Sequence, residues 1–211
     1  MSLEAISEHI RAQFTSKNAA RDLALARSRE LIRLCAETIR AVHRREWDAA
    51  GEKLLAVRAG ADSLRAAVAG HPDLYHAGYT QDAIKEFTEA SITCALIQDK
   101  GLPTPEDLGV EIATYWNGLA EVVGELRRRC LDILRQGYST EAERLLGCMD
   151  DIYTNLVTMD YPDAVTQGLR RQTDLVRGIV ERTRGDLTLS LRFQLMERAL
   201  IEYTQRVNKA E

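Results

Sequence analysis

Two pairs of glutamates are the residues of this sequence best placed to do chemistry. Glu86 and Glu89 sit in the run Ala83-Ile84-Lys85-Glu86-Phe87-Thr88-Glu89-Ala90. Three residues apart, they share one helix face. Glu121 and Glu125 sit in Gly118-Leu119-Ala120-Glu121-Val122-Val123-Gly124-Glu125-Leu126. Four apart, they also share a face. Both pairs have apolar neighbours, and four half-buried carboxylates cannot all stay ionised unaided, because desolvation and like charge both oppose it. A hard cation such as Mg²⁺ resolves the conflict, since it takes oxygen ligands and pairs with phosphate substrates. A metal held there could activate water and stabilise charge on a phosphoryl group. The other reading is plainer: such acids commonly face solvent or pair with Lys and Arg. Gly118 and Gly124 flank the second pair, and a helical glycine costs about 1 kcal/mol relative to Ala. Both therefore predict close approach of another backbone.

A second set of residues suits nucleic acid. Arg21, Arg27, Arg29, Arg33 and Arg40 stud the first helical stretch, and His43-Arg44-Arg45 closes it. Arg127-Arg128-Arg129 follows the second acidic pair, and Arg170-Arg171 comes later. Arginine grips phosphate bidentately, although the many acids offer ion-pair partners as well. Tyr75, His76 and Tyr79 precede the first acidic pair. Exposed aromatics there could stack on unpaired bases or simply pack a helix start. Tyr75, His76, Tyr79, Arg127 and Arg128 are the candidate RNA contacts. The four histidines, His9, His43, His71 and His76, lack metal-ligand spacing. No phosphate-binding glycine loop or serine-hydrolase motif is present.

Helical periodicity positions these groups. Apolar residues recur at spacings of three and four from Leu3 to Val42, with Thr15–Asn18 as a candidate interruption. A second helix is expected from Trp47 to Val68, a third over 76–99 and a fourth from Thr104-Pro105-Glu106-Asp107 to about residue 136. Thr suits the cap, Pro the first helical position, and acids the first turn. A fifth helix is expected from residue 139 or 140 to 159, a sixth from about 162 to 184, and a last one over 186–207. The reading is an all-α, single-domain bundle of about seven helices covering residues 1–211.

Composition narrows the class. With 28 Lys and Arg against 32 Asp and Glu, the net charge is −4, so the chain as a whole is not a basic nucleic-acid-binding domain. The cysteines Cys35, Cys94, Cys130 and Cys148 lie in apolar helical contexts without CxxC spacing, as expected of buried thiols in a reducing compartment. The first turns carry Glu4, Glu8, His9 and Arg11, unlike a signal peptide. No apolar run approaches the roughly 18–20 residues of a membrane span. A cytoplasmic location is the expectation.

Several blocks resemble the translin–trax family. They are Ala26–Arg44, the Glu86-x-x-Glu89-Ala90 helix, Tyr115–Arg127 (YWNGLAEVVGELR), and residues 150–171 with Tyr153, Asp160, Pro162 and Leu169-Arg170-Arg171. The resemblance reaches about residue 185. It implies a seven-helix protomer assembled into hollow octamers that bind single-stranded RNA and DNA. In the trax branch it also implies a Mg²⁺-dependent endoribonuclease, whereas the translin branch is mainly a binder. By motif, Glu86 and Glu89 match the trax acidic pair, Glu125 is the acid of the GEL triplet, and Glu121 stands where trax carries an aspartate. Retention of four acids resembles the catalytic branch. The expectation is a homo-oligomeric, Mg²⁺- or Mn²⁺-dependent endoribonuclease with Glu86, Glu89, Glu121 and Glu125 as metal ligands and catalytic groups. The competing expectation is a non-catalytic single-strand binder. A di-iron bundle would need Glu-x-x-His motifs, and Gly124 stands where the second helix would need one.

Overall fold

The computed structural model describes residues 2–210, and among them every regular element is a helix. Six are long and three are single turns: α1 (Leu3–His43), α2 (Trp47–Val68), α3 (Pro72–Tyr75), α4 (Gly78–Ile97), α5 (Pro105–Leu108), α6 (Ile112–Leu134), α7 (Thr140–Val157), α8 (Asp163–Thr166) and α9 (Leu169–Ala210). The all-α expectation is met.

Several boundaries differ from the sequence reading: the helix expected from about 162 is a single turn, α8, ended at Gln167 (φ 54°) and Gly168 (φ 87°) before α9 opens at Leu169. Thr15–Asn18 does not interrupt α1; Thr15 satisfies its hydroxyl by donating to the Arg11 carbonyl 2.9 Å away. The helix expected from Thr104 onward is two helices. Gly109 takes a left-handed conformation (φ 64°) and closes α5 after one turn, so α6 starts anew at Ile112. The last two expected helices are one. Val176, Val180, Thr183 and Leu187 form a buried stripe that runs straight past Gly185. Continuous burial on one face outweighs the propensity cost of one glycine, about 1 kcal/mol.

By contact density the chain divides into two compact units, Met1–Cys94 with Pro103–Gly118, and Ala95–Leu102 with Leu119–Glu211. In the first, α1 and α2 form a hairpin turned at Arg45, which adopts a left-handed φ of 59°. α1 contributes buried Ala24, Leu31, Cys35 and Val42, and α2 contributes Val57, Ala61, Leu64 and Val68. Gly60 lets α2 approach closely, since a Cβ there would stand 3.3 Å from Leu31 Cδ1. Arg58 and Arg65 of α2 donate to the carbonyls of Asp107 (2.9 Å) and Leu108 (3.0 Å). They thereby satisfy the carbonyl end of α5, and both guanidinium groups also lie over the Phe87 ring.

In the second unit, α7 packs on α9, with Leu145, Met149, Leu156, Val176 and Leu187 buried. Arg129 of α6 is 5% exposed and donates from Nε (3.0 Å) and Nη2 (2.8 Å) to one oxygen of Glu141 at the start of α7. No described helix is long and apolar enough to cross a membrane.

Candidate metal and nucleic-acid site

α4 is a polar helix made compatible with burial by its own backbone. Thr88 and Ser91 donate to the carbonyls four residues earlier, Ile84 at 2.9 Å and Phe87 at 2.8 Å. Gln81 joins α4 to α6 by accepting from the Thr114 hydroxyl at 2.7 Å. Between these residues Glu86 and Glu89 present half-buried carboxylates. Below them lies Cys35 of α1, fully buried. Burial pushes the Cys35 thiol far above the ordinary range, and the negative charges of Glu86 and then Glu89 push it further. Burial beside these acids thus favours the neutral thiol at Cys35.

α6 reaches α4 at Gly118. A Cβ there would lie 2.9 Å from Thr88 Cβ and 3.1 Å from the Lys85 carbonyl oxygen. The close approach expected of Gly118 is thus present, against the turn that carries Glu86 and Glu89. Gly124 does not share it, for the space where its Cβ would stand is open. Glu121 follows Gly118 by three residues on the same unbroken helix, about 4.5 Å along its axis. Glu86 and Glu89 are half-buried on one face of α4, and Glu121 is half-buried on α6. Glu125 lies one turn further along α6. It too is half-buried, with Arg128 Nη1 at 3.9 Å. Glu121 also accepts from Gln172 Nε2 of α9 at 3.3 Å. The sequence reading placed Cys35 as a buried thiol, as found, but overlooked Gln172, which belongs to no motif that marks a carboxylate neighbour.

The candidate RNA contacts are scattered in environment. Tyr75 is half-buried, edge-on to the exposed His76 ring at 4.9 Å, and its hydroxyl is pushed up mainly by burial and then by Glu111. Tyr79 is half-buried and its hydroxyl has no hydrogen-bond partner. Arg127 is engaged within the protein: Nη1 donates to Thr183 Oγ1 at 2.9 Å and pairs with Asp186 at 2.9 Å. Arg128 is exposed. On α1 the ion-pair reading holds for Arg21 with Asp22, Arg27 with Glu30, and Arg33 with Glu37.

Against known proteins, no family model matches the chain. An uncharacterized protein of Methanocaldococcus jannaschii is 34% identical over 174 residues, which span 82% of this chain and 77% of that protein. The crystal structure of AfC3PO, a translin–trax assembly, superposes with a TM-score of 0.82 at 31% identity, covering 89% of this chain and 98% of its own. The chain belongs to the translin–trax family. A structure of AfC3PO with duplex RNA gives a TM-score of 0.83 at 32% identity, covering 89% of this chain and 97% of its own. Apo-NeC3PO, at 18% identity and a TM-score of 0.81, covers 90% of this chain and 98% of its own and shares the translin–trax fold. The resemblance read from Tyr115–Arg127 and the Glu86-x-x-Glu89 helix is confirmed at the level of family and fold.

Proposed function

We propose that this translin–trax protein binds single-stranded RNA, with single-stranded DNA as a second ligand. We propose further that it cleaves the RNA with Mg²⁺ or Mn²⁺ inside a homo-oligomer, an octamer. The observation that carries the reading is the pair of half-buried carboxylates, Glu86 and Glu89, on one face of α4, both close enough to buried Cys35 to act on its thiol. Mg²⁺ is commonly held by one or two carboxylates and several waters, so this pair suits it, and Glu121 and Glu125 of α6 are the further proposed ligands. The donor set fits as well, because the proposed ligands are carboxylates and an all-oxygen site selects a hard cation. Bound there, a divalent cation supplies a polarised water and counter-charge for the phosphodiester.

The chain's own residues do the rest. Gln172 fixes one oxygen of Glu121. Glu125 is the carboxylate proposed as general base, accepting the proton of the attacking water. Exposed His76 and Arg128 offer an aromatic face and a cation to the strand. RNA binding itself is supported by the AfC3PO complex, whose RNA is a duplex.

The test is incubation with labelled single-stranded and duplex RNA, with Mg²⁺ and with EDTA, beside Glu86→Gln. The expected outcome is cleavage of the single strand that EDTA stops and that Glu86→Gln lowers at least 100-fold, with RNA affinity unchanged. Binding that weakens steeply with salt, with no cleavage under either metal, would establish the non-catalytic reading instead. The Gln172 hydrogen bond and the nearby Arg128 speak for that second reading, since acids with protein partners need no ion.

A further inference from the structure

Gln172 stands at a place on α9 that the rest of that helix gives to the core. The buried stripe runs through Leu169, Val176, Val180, Thr183 and Leu187. Gln172, three residues after Leu169 and four before Val176, falls on the same face. It is half-buried, and its amide donates from Nε2 to Glu121 Oε1 of α6 at 3.3 Å. Further along both helices, Arg127 of α6 donates to Thr183 Oγ1 at 2.9 Å and pairs with Asp186 of α9 at 2.9 Å. The two contacts come in the same order along α6 and α9. The helices therefore run the same way, and two ties hold Glu121 in register against Gln172.

The chemistry of the donor matters. Elsewhere in the same unit, acids are held by arginine. Arg129, 5% exposed, gives two N–H groups to one oxygen of Glu141, and Arg184 Nη2 meets both oxygens of Asp150. From α9, Glu121 receives a neutral amide instead, although Arg170 and Arg171 are close in sequence and exposed. A guanidinium would bring a charge of its own to the carboxylate and so compete with a cation. An amide orients one oxygen and adds no charge. A carboxylate accepts at about four lone-pair sites, and one N–H takes only one of them. We propose, on the reading of Glu121 as a metal ligand, that Gln172 is a positioning residue for a divalent cation. Its amide aims the Glu121 carboxylate, leaves the charge to the ion, and thereby sets the affinity of the site. Outer-shell partners of this kind carry about 10–100-fold in metal affinity.

The experiment titrates the full chain with Mn²⁺ alone and reads the free ion by electron paramagnetic resonance. Gln172→Met, Gln172→Arg and Glu121→Gln are measured beside the parent, with a urea midpoint for each. Gln172→Met keeps the length and loses the donor, whereas Gln172→Arg keeps a donor and adds a charge. The parent binds Mn²⁺ tightest, Gln172→Met binds about 10–100-fold more weakly, and Gln172→Arg and Glu121→Gln bind more weakly still. A bond that only supports the fold gives a different pattern: the urea midpoint falls in Gln172→Met, recovers in Gln172→Arg, and Mn²⁺ affinity stays level throughout. RNA cleavage by Gln172→Met recovers at raised Mn²⁺, because mass action refills the site, and RNA affinity in EDTA matches the parent. Equal Mn²⁺ affinity in the parent and Gln172→Met overturns the inference while the Glu86–Glu89 reading stands. So does a Gln172→Arg or Glu121→Gln chain that binds the ion as tightly as the parent. A parent chain with no saturable Mn²⁺ site removes the metal reading and the role of Gln172 together.

Discussion

At Gly118 one missing side chain decides how closely two helices meet. Atoms at 2.9 Å and 3.1 Å, the second a backbone oxygen, leave no room for a methyl group. Gly118→Ala is therefore expected to destabilise the fold by about 1–3 kcal/mol, read as a lowered urea midpoint. Thr88→Ser, which removes the Cγ2 in contact, recovers part of it; an unchanged midpoint for Gly118→Ala would contradict the packing. Gly118 was legible in the sequence because a mid-helix glycine needs a reason. Gly124 gave the same signal falsely, since a linear sequence does not say which face of a helix is covered. The acid pairs were legible through their three- and four-residue spacing. Gln172 donates to Glu121 across 51 residues of sequence, which no spacing rule reaches.

Caps and stripes set the elements, and they were readable to different degrees. The Thr104 start is a reciprocal capping box: Asp107 N–H donates to Thr104 Oγ1 at 3.1 Å, and Thr104 N–H donates to Asp107 Oδ2 at 2.9 Å. The bond from the Thr104 backbone N–H, and after it the one with the Thr104 hydroxyl, holds the Asp107 carboxyl below its usual range. Because the folded carboxyl is the stronger acid, its contribution to stability is complete above the unfolded value near 3.9. It is lost as pH falls through the lower folded value. Asp107→Ala should thus lower the melting temperature at pH 7, and the gap to the parent should narrow toward pH 3 in circular-dichroism melts. A gap independent of pH would remove the charge from the explanation. The stop one turn later was written in Gly109, yet Pro105 and the acids pointed to a long helix and masked it. At Gly185 the opposite happened: a glycine followed by an aspartate looked like a boundary, but Leu187 continued the buried face and Asp186 found Arg127. In both places the outcome was set by tertiary contacts that local propensity does not contain.

The whole molecule carries a slight net negative charge, −4, so affinity for a polyanion has to come from local groups rather than the global field. Most of the arginines that looked available are balanced inside the protein, as Arg127 and Arg129 show. What the protomer leaves bare is apolar instead: Leu189, Phe193, Leu200 and Tyr203 on α9 and, on the opening turns of α1, Leu3, Ile6, Ile10 and Phe14. Surface of that kind ties folding to mass action, because every partner that covers it removes the unfolded competitor from the balance. Dilution from micromolar to nanomolar protein should consequently shift thermal unfolding several degrees downward. A midpoint that holds constant across that range would mean those helix ends are at ease in water.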